Sequence, residues 1–138
     1  MRVLALDLGD KRTGIAVSDS TGTVSNPLDV LPTNEVMNNA ASFRRLLADY
    51  EVERLVVGLP VSLDGSEHAQ ATHIRSQAVC LEELYGLPVE LVDERLSSIE
   101  AQRVLRQLGY NEKDMRGKTD KIAASIVLQT WLDKRRAL

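Results

Sequence analysis

Three short segments near the amino terminus carry the apolar pattern of β-strands separated by tight loops. Apolar residues dominate Arg2–Asp7, recur through Thr13–Ser18 and appear again in Val24–Leu31. Between the first two, Gly9–Gly14 has the glycines and polar residues of a hairpin loop. Because Pro27 cannot donate to a central ladder, we expect the third segment either at an edge of the sheet or with an irregular start. The pattern therefore predicts an antiparallel meander of three strands.

The rest of the chain alternates between apolar runs and helical spacing. Arg54–Pro60 lacks polar alternation, which favours a strand buried on both faces of a sheet. Pro88–Val92 is predicted as the fifth strand. Apolar spacing predicts helices over three segments: Glu35–Asp49, His68–Tyr85 and Thr119–Arg136. A capping box at its start and Gly109 after its end predict a further helix over Ser97–Leu108. We expect Asn34 to cap the first of these helices and Gly86 to end the second.

This order of elements, β-β-β-α-β-α-β-α-α, predicts an α/β fold with one domain over residues 1–138. A chain of 138 residues is long enough to bury an ordinary hydrophobic core. Right-handed crossovers would place the fourth and fifth strands parallel to the first. We therefore expect a five-stranded mixed sheet flanked by helices.

The composition favours a globular protein of the cytoplasm, with 43% hydrophobic and 27% charged residues. No apolar run approaches the roughly 20 residues of a membrane span. Asp7 and Asp10 interrupt the first apolar run too early for a signal peptide. The single Cys80 excludes an internal disulfide, and a reducing compartment is the natural one for such a chain.

Charge is divided unevenly along the chain. Residues 1–94 contain 7 Lys+Arg against 15 Asp+Glu, or −8, and residues 95–138 contain 10 against 5, or +5, for a net charge of −3. The net charge argues against indiscriminate nucleic-acid binding, whereas the basic final third suits a surface that faces a polyanion. Two solvated basic helices would give the same pattern, so charge alone leaves both interpretations open.

Three carboxylates are expected to converge at one edge of the sheet. Asp7 follows the first strand, and Asp93 and Glu94 follow the fifth, so parallel strands bring them to the same carboxyl edge. Strand parity decides between Asp93 and Glu94, and we favour Glu94. Asp120 lies on the apolar stripe of the last helix, which should face the sheet. That stripe comprises Ala123, Ala124, Val127 and Trp131.

Each of these acids also has an ordinary structural explanation. Asp7 could accept hydrogen bonds from the loop that follows it. Glu94 could pair with Arg95 or Lys118, and Asp120 could complement the helix dipole. Several acids in one dry pocket, however, repel one another, and hard divalent cations relieve that repulsion. Two Mg²⁺ or Mn²⁺ ions about 3.5–4 Å apart are a recurrent device for phosphodiester hydrolysis.

Four short motifs occur in order along nearly the whole chain. They are Leu6–Gly9 with Thr13–Val17, Val56–Pro60 with Asp64 and Gly65, Asp93–Ser97, and Gly117–Asp120 with Ala123 and Ala124. Together they resemble the YqgF/RuvX family of bacterial ribonuclease H-like proteins. The resemblance implies a ribonuclease H-like fold and a metal-dependent nuclease site, in which Asp7, Glu94 and Asp120 fall on the family's acidic positions.

The resemblance also implies a substrate, whereas the residues themselves do not distinguish RNA from DNA. Family members look like nucleases that mature the 5′ end of pre-16S ribosomal RNA, and their similarity to RuvC-type enzymes implies Holliday junction resolution as the alternative. Basic residues near the acids are candidates for phosphate contacts: Lys11, Arg12, Arg95, Arg116, Lys118 and Lys121. With 4% aromatic residues, recognition of backbone and shape is expected over base stacking.

Two other classes of protein compete with the nuclease hypothesis. Asp7–Gly14 also resembles the phosphate loop of actin-like ATPases and sugar kinases, which bind nucleotide between two domains, whereas one is predicted here. A non-catalytic RNA- or protein-binding factor would not require buried acids. We expect a monomer because no apolar stripe indicates a dimer, although a symmetric resolvase would be a two-fold dimer. The loops at 62–66 and 110–118 are candidates for closing over substrate.

Overall fold

The structure is a computed structural model that describes residues 2–61, 64–93, 106–111 and 120–136. Five strands and four helices follow one another within these ranges. The elements are β1 Arg2–Leu8, β2 Arg12–Ser18, β3 Ser25–Pro32, α1 Thr33–Met37, α2 Ala41–Asp49, β4 Val52–Leu59, α3 Ala69–Tyr85, β5 Val89–Asp93 and α4 Asp120–Arg136.

The strands form one mixed sheet with the order β3-β2-β1-β4-β5. β2 pairs antiparallel with β1 and β3, while β4 pairs parallel with β1 and β5. The predicted meander and the predicted parallel strands are therefore confirmed. β3 is an edge strand, as Pro27 indicated, and the register of the β2–β3 pair shifts between Ile15 and Ala16.

Each face of the sheet is covered by helices, and alternation along the strands sends neighbouring residues to opposite faces. On one face α4 packs on a core that we call the α4 core. It comprises Val3, Ala5, Ala16, Val56, Val92, Ala124, Val127, Leu128, Trp131 and Leu132. On the other face, helices α1 to α3 pack on Leu4, Leu6, Leu8, Ile15, Leu55, Val57 and Leu59. Phe43 of α2 is fully buried there and meets Tyr85 edge to face, with ring centroids 5.0 Å apart.

The predicted helix over Glu35–Asp49 is wrong in one respect, because the structure divides it into α1 and α2. Asn39 separates them with a left-handed φ of 61°, a conformation that asparagine tolerates better than most residues. Asn34 lies inside α1 and does not cap it, since Pro32 holds the N-cap position. The apolar spacing was correct, but the interruption at this asparagine outweighed it.

The other helices within the described residues agree with their predictions. α3 ends at Gly86, which adopts a left-handed φ of 66° and donates its N–H to the Glu82 carbonyl, as a C-terminal glycine does. Most of the helix predicted over Ser97–Leu108 lies outside the described residues. None of the helices within the described ranges is long and apolar enough to cross a lipid bilayer.

Candidate functional site

Asp7 lies at the carboxyl end of the central strand and is half-buried. Its place in the register is fixed on one side by pairing with Gly14 of β2. Because residues of like parity on a strand share a face, Asp7 lies on the same face as Val3 and Ala5, the face that α4 covers. The carboxylate is thus next to the α4 core, at the edge where parallel α/β sheets place their sites.

Both strands that flank Asp7 place a glycine level with it. Gly14 is its partner on β2, and Gly58 is the next residue of β4 after the Leu6–Val57 pair. Directly paired side chains lie about 5 Å apart, so a side chain at either position would sit beside the carboxylate. Neither neighbouring strand therefore contributes a side chain next to Asp7. Neither pairing was predicted, because the register of a sheet depends on which strands become neighbours.

Asp93 and Asp7 lie on opposite faces of the sheet, because side chains alternate between the faces along a strand. Val92 belongs to the α4 core, so the next residue, Asp93, lies on the opposite face. Its surroundings agree with this placement. A hydrogen bond from Arg75, about two turns into α3, lowers the pKa of Glu67, and the negative charge of nearby Asp93 opposes that lowering. Asp93 thus belongs to the α3 side of the sheet, whereas Glu94 lies outside the described residues.

The amino end of α4 lies toward the same carboxyl edge as Asp7. Gln129 accepts a hydrogen bond from the Ser25 N–H at 2.9 Å, and Ser25 pairs with Ser18, whose hydroxyl accepts from the Val3 N–H. Gln129 is therefore level with the amino end of β1. The nine residues back to Asp120 span about 13 Å of helix, and the strand from Val3 to Asp7 also spans about 13 Å.

Helix periodicity places Asp120 on the stripe that covers the sheet. The residues four, seven and eleven positions after it are Ala124, Val127 and Trp131, all members of the α4 core. Ala123, which was predicted on this stripe, is instead exposed, because three residues advance a helix by only about 300°. The side chain of Asp120 lies outside the described residues.

The remaining predicted site residues differ in how far the structure describes them. Glu94, Arg95, Arg116 and Lys118 lie outside the described residues. Lys121 is half-buried in the first turn of α4. Among the described part of the chain, no three His, Cys, Asp or Glu side chains form a group that could hold a metal ion. Asp7 is thus the predicted acid whose surroundings the structure does describe.

The hairpin loop beside Asp7 presents two exposed cations. Lys11 and Arg12 are both solvent-exposed, and the loop from Gly9 to Arg12 lines an open groove of about 590 Å³. The Gly9 N–H donates to the Arg12 carbonyl at 2.9 Å and closes the turn. The two cations outnumber the single carboxylate of the loop, that of the exposed Asp10, and such a loop suits contact with a phosphate backbone.

Solved structures of other proteins share this arrangement of strands and helices. The structure is similar to that of Thermus thermophilus RuvC in complex with a Holliday junction substrate, with a TM-score of 0.64 and 17% identity over 99% of this chain and 96% of that chain. It is also similar to the fowlpox virus Holliday junction resolvase, with a TM-score of 0.56 and 15% identity over 98% and 99% of the two chains. The protein therefore has a ribonuclease H-like fold.

Sequence comparison places the chain more narrowly. The family described as "RuvX: Holliday junction resolvase" matches residues 1–134. A protein of Anaeromyxobacter sp. (strain Fw109-5) named "Putative pre-16S rRNA nuclease" is 44% identical over 99% of this chain and 100% of its own length. A relative of the same name from Chloroflexus aggregans is 39% identical over 97% and 94% of the two chains. This chain belongs to the RuvX family, which confirms the resemblance drawn from its motifs.

Proposed function

We propose that the protein is a metal-dependent nuclease that hydrolyses phosphodiester bonds during 5′-end maturation of pre-16S ribosomal RNA in the cytoplasm. The observation that carries this proposal is the position of Asp7, half-buried at the carboxyl end of β1 and at the same edge as the amino end of α4. The relatives named for pre-16S rRNA support the choice of substrate. The proposal covers residues 1–138 as one nuclease domain.

The proposed metal ligands are Asp7, Glu94 and Asp120. A carboxylate oxygen is the ligand type that Mg²⁺ and Mn²⁺ prefer, and Asp7 supplies one from a rigid central strand. The glycines level with Asp7 leave its flanks without strand side chains, which suits a group that must share its surroundings with ions and a phosphate. When bound, the two ions would polarise the scissile phosphate and lower the pKa of the attacking water.

The basic residues have a separate role in this proposal, which is to hold the substrate backbone. Lys11 and Arg12 extend from the loop that follows β1, so they would contact phosphates on one side of Asp7. Lys121 and, beyond the described residues, Arg95, Arg116 and Lys118 would contact phosphates on the other side. Binding of this kind fixes the position of the strand but reads little sequence.

A second candidate function is resolution of Holliday junctions, and the family description favours it. The fold likeness to RuvC supports a shared architecture for the site, since both chains are covered almost completely. A resolvase that cuts two strands symmetrically requires two active sites related by a two-fold axis. The two candidates therefore differ in the oligomeric state that they need.

The metal-site proposal is tested by the substitution Asp7→Asn. Removing a charged ligand should lower cleavage of precursor RNA at least about a hundredfold, because even outer partners of metal ligands cost 10- to 100-fold. The melting temperature should not fall, since the amide is nearly isosteric. The matched control is Asp49→Asn, an exposed acid at the end of α2. Cleavage that persists in Asp7→Asn, or that survives EDTA, would remove the metal-site assignment.

The choice of substrate is tested in cells. Depleting the protein should lead to accumulation of 16S precursors with extended 5′ ends, which primer extension maps directly. Normal 5′ ends after depletion would count against the RNA proposal. In that case, cleavage of a synthetic four-way junction by the purified protein would support the resolvase alternative. Failure to cleave either substrate would favour a non-catalytic binding factor.

A further inference from the structure

Thr33 connects the end of β3 to the hairpin loop beside Asp7 through three hydrogen bonds. Its hydroxyl donates to the Gly9 carbonyl at 2.7 Å, and its N–H donates to the Lys11 carbonyl at 2.9 Å. The Thr33 and Thr13 hydroxyl oxygens are 2.8 Å apart. Thr33 thus links two backbone carbonyls of the loop to the first part of β2.

The direction of the hydroxyl pair follows from the number of hydrogens available. Thr33 has one hydroxyl hydrogen, which it donates to the Gly9 carbonyl, a group that can only accept. Thr13 must therefore donate its own hydroxyl hydrogen to Thr33 Oγ1. The result is a continuous series of hydrogen bonds from Thr13 through Thr33 to Gly9. Both side chains are buried, with exposures of 0% and 6%, so water does not compete strongly for these bonds.

These hydrogen bonds fix the backbone of the loop and leave its charged side chains exposed. The loop carbonyls of Gly9 and Lys11 accept from Thr33, and the Gly9 N–H donates to the Arg12 carbonyl at 2.9 Å. Lys11 and Arg12 are exposed residues on a backbone that is fixed at these points. A loop that is ordered before binding loses less conformational entropy when it meets a ligand.

We propose that Thr33 is a positioning residue that fixes the Gly9–Arg12 loop so that Lys11 meets a substrate phosphate next to Asp7. This inference rests on the proposed function, because it assigns a nucleic-acid backbone to the loop. Thr33 itself touches no substrate in this arrangement. Its effect passes through the loop carbonyls to Lys11 and should appear in substrate affinity, and not in the turnover of bound substrate.

The experiment measures binding of a fluorescein-labelled 20-base-pair RNA duplex by anisotropy in EDTA, over a series of KCl concentrations. Thr33→Val keeps the side-chain shape but removes the hydroxyl, and should weaken binding about tenfold. The slope of log affinity against log salt should fall by about 0.9, the value of one lost phosphate contact. Thr33→Ser keeps the hydroxyl and should bind as the wild type does. Thr13→Val leaves the bond to Gly9 intact and should also remain close to the wild type.

A double-mutant cycle with Lys11→Ala separates positioning from a general loss of structure. If Thr33 acts through Lys11, the double variant should bind no more weakly than Lys11→Ala alone. Additive losses would overturn the inference, as would a Thr33→Val variant with the affinity and salt slope of the wild type. A wild-type protein that fails to bind the duplex would overturn it as well.

Amide hydrogen exchange in the free protein gives a readout that needs no nucleic acid. In Thr33→Val, the Gly9 amide should exchange at least about fivefold faster, while the Leu55 amide in the central sheet should keep its rate. If the Gly9 amide is equally protected in the two proteins, the inference that Thr33 fixes the loop is wrong. Because neither binding nor exchange requires cleavage, an inactive wild type that binds RNA would end the nuclease proposal and leave the role of Thr33 standing.

Discussion

At the scale of single residues, Gly9 shows how closely the loop beside Asp7 is folded. A Cβ on Gly9 would lie 2.5 Å from the Arg12 carbonyl oxygen, a distance that real Cβ contacts do not reach. The obstacle is backbone, which cannot turn away as a side chain can. Any larger residue therefore has to open the turn that carries Lys11 and Arg12.

We expect Gly9→Ala to lower the free energy of unfolding by about 1–3 kcal/mol, the range of backbone strain at a tight turn. It should also impair cleavage, because the turn that opens is the one next to Asp7. Urea denaturation and a cleavage assay provide the two measurements. Gly86→Ala is the control, since a Cβ there meets nothing within 4 Å and the cost of about 1 kcal/mol comes only from its positive φ. Equal cleavage by the two variants would contradict this prediction.

Asp19 is a second residue whose hydrogen bonds affect the stability of the protein in a way that can be measured. Burial raises the pKa of Asp19, but hydrogen bonds from the Thr23 N–H, the Thr21 hydroxyl and the Val24 N–H outweigh it and leave the pKa below its ordinary value of 3.8. A carboxyl with a lowered folded pKa stabilises the protein above its unfolded pKa. This contribution disappears as the pH falls through the folded value.

Asp19→Asn should therefore lower the melting temperature at pH 7, since the amide accepts hydrogen bonds less strongly than the carboxylate does. The difference in melting temperature between Asp19→Asn and the wild type should reach its full size at pH 5. It should become smaller as the pH falls below about 3.8. Thermal melts at pH 7, 5 and 3 measure it. A difference that stays constant down to pH 3 would show that the charge of Asp19 contributes nothing.

At the scale of elements, Gln129 anchors α4 to the edge strand. Its Oε1 accepts from the Ser25 N–H at 2.9 Å, and its Nε2 donates to the Thr23 carbonyl at 3.0 Å and to Asp133 Oδ1 at 3.0 Å. Gln129 is 1% exposed and Ser25 is fully buried, so water cannot replace the amide oxygen at the Ser25 N–H. The same contacts set how far α4 is displaced along the sheet, and thus where its amino end lies.

Gln129→Leu should destabilise the protein by about 1–3 kcal/mol, the cost of leaving the buried Ser25 N–H without an acceptor. Leucine has a similar volume, so loss of packing contributes little. Gln70→Leu, at an exposed position of α3, should change stability by less than about 0.5 kcal/mol. Chemical denaturation of the two variants gives the comparison, and equal stabilities would refute the anchoring role of Gln129.

At the scale of the whole molecule, the described surface offers little for self-association. Within the described residues, the exposed large apolar side chains are Val79 on α3 and Leu108, with exposures of 59% and 46%. Single exposed apolar residues are normal on a monomer, whereas stable dimers bury a contiguous patch. The predicted monomer thus remains our expectation.

Light scattering after size-exclusion chromatography should give the mass of one chain at micromolar concentration. A monomer suits cleavage of one RNA end, because a single site is sufficient. A stable two-fold dimer would contradict this expectation and would shift support toward junction resolution, which needs two sites. Repeating the measurement with a four-way junction tests whether DNA brings two chains together.

Apolar spacing, together with turn residues and the rule of right-handed crossovers, predicted the meander, the parallel strands and the strand ends at which Asp7, Asp93 and Glu94 stand. It succeeded because burial imposes a period of two on strands and 3.6 on helices. It failed at Glu35–Asp49, where the left-handed Asn39 divides the helix although the apolar spacing continues. The pairing of Asp7 with Gly14 also had no signal in composition, because register depends on which strands become neighbours.

By itself, the sequence determined the elements, the acids that could hold ions and the family to which the chain belongs. Tertiary structure decided that Asp93 faces away from Asp7, that α4 brings its amino end to the same edge, and that Thr33 holds the loop of Lys11. These relations join residues between 24 and more than 100 positions apart, as the Thr33–Gly9 and Gln129–Ser25 bonds illustrate. Local spacing carries no information about such distances, since strand order and helix packing fix them only when the chain has folded.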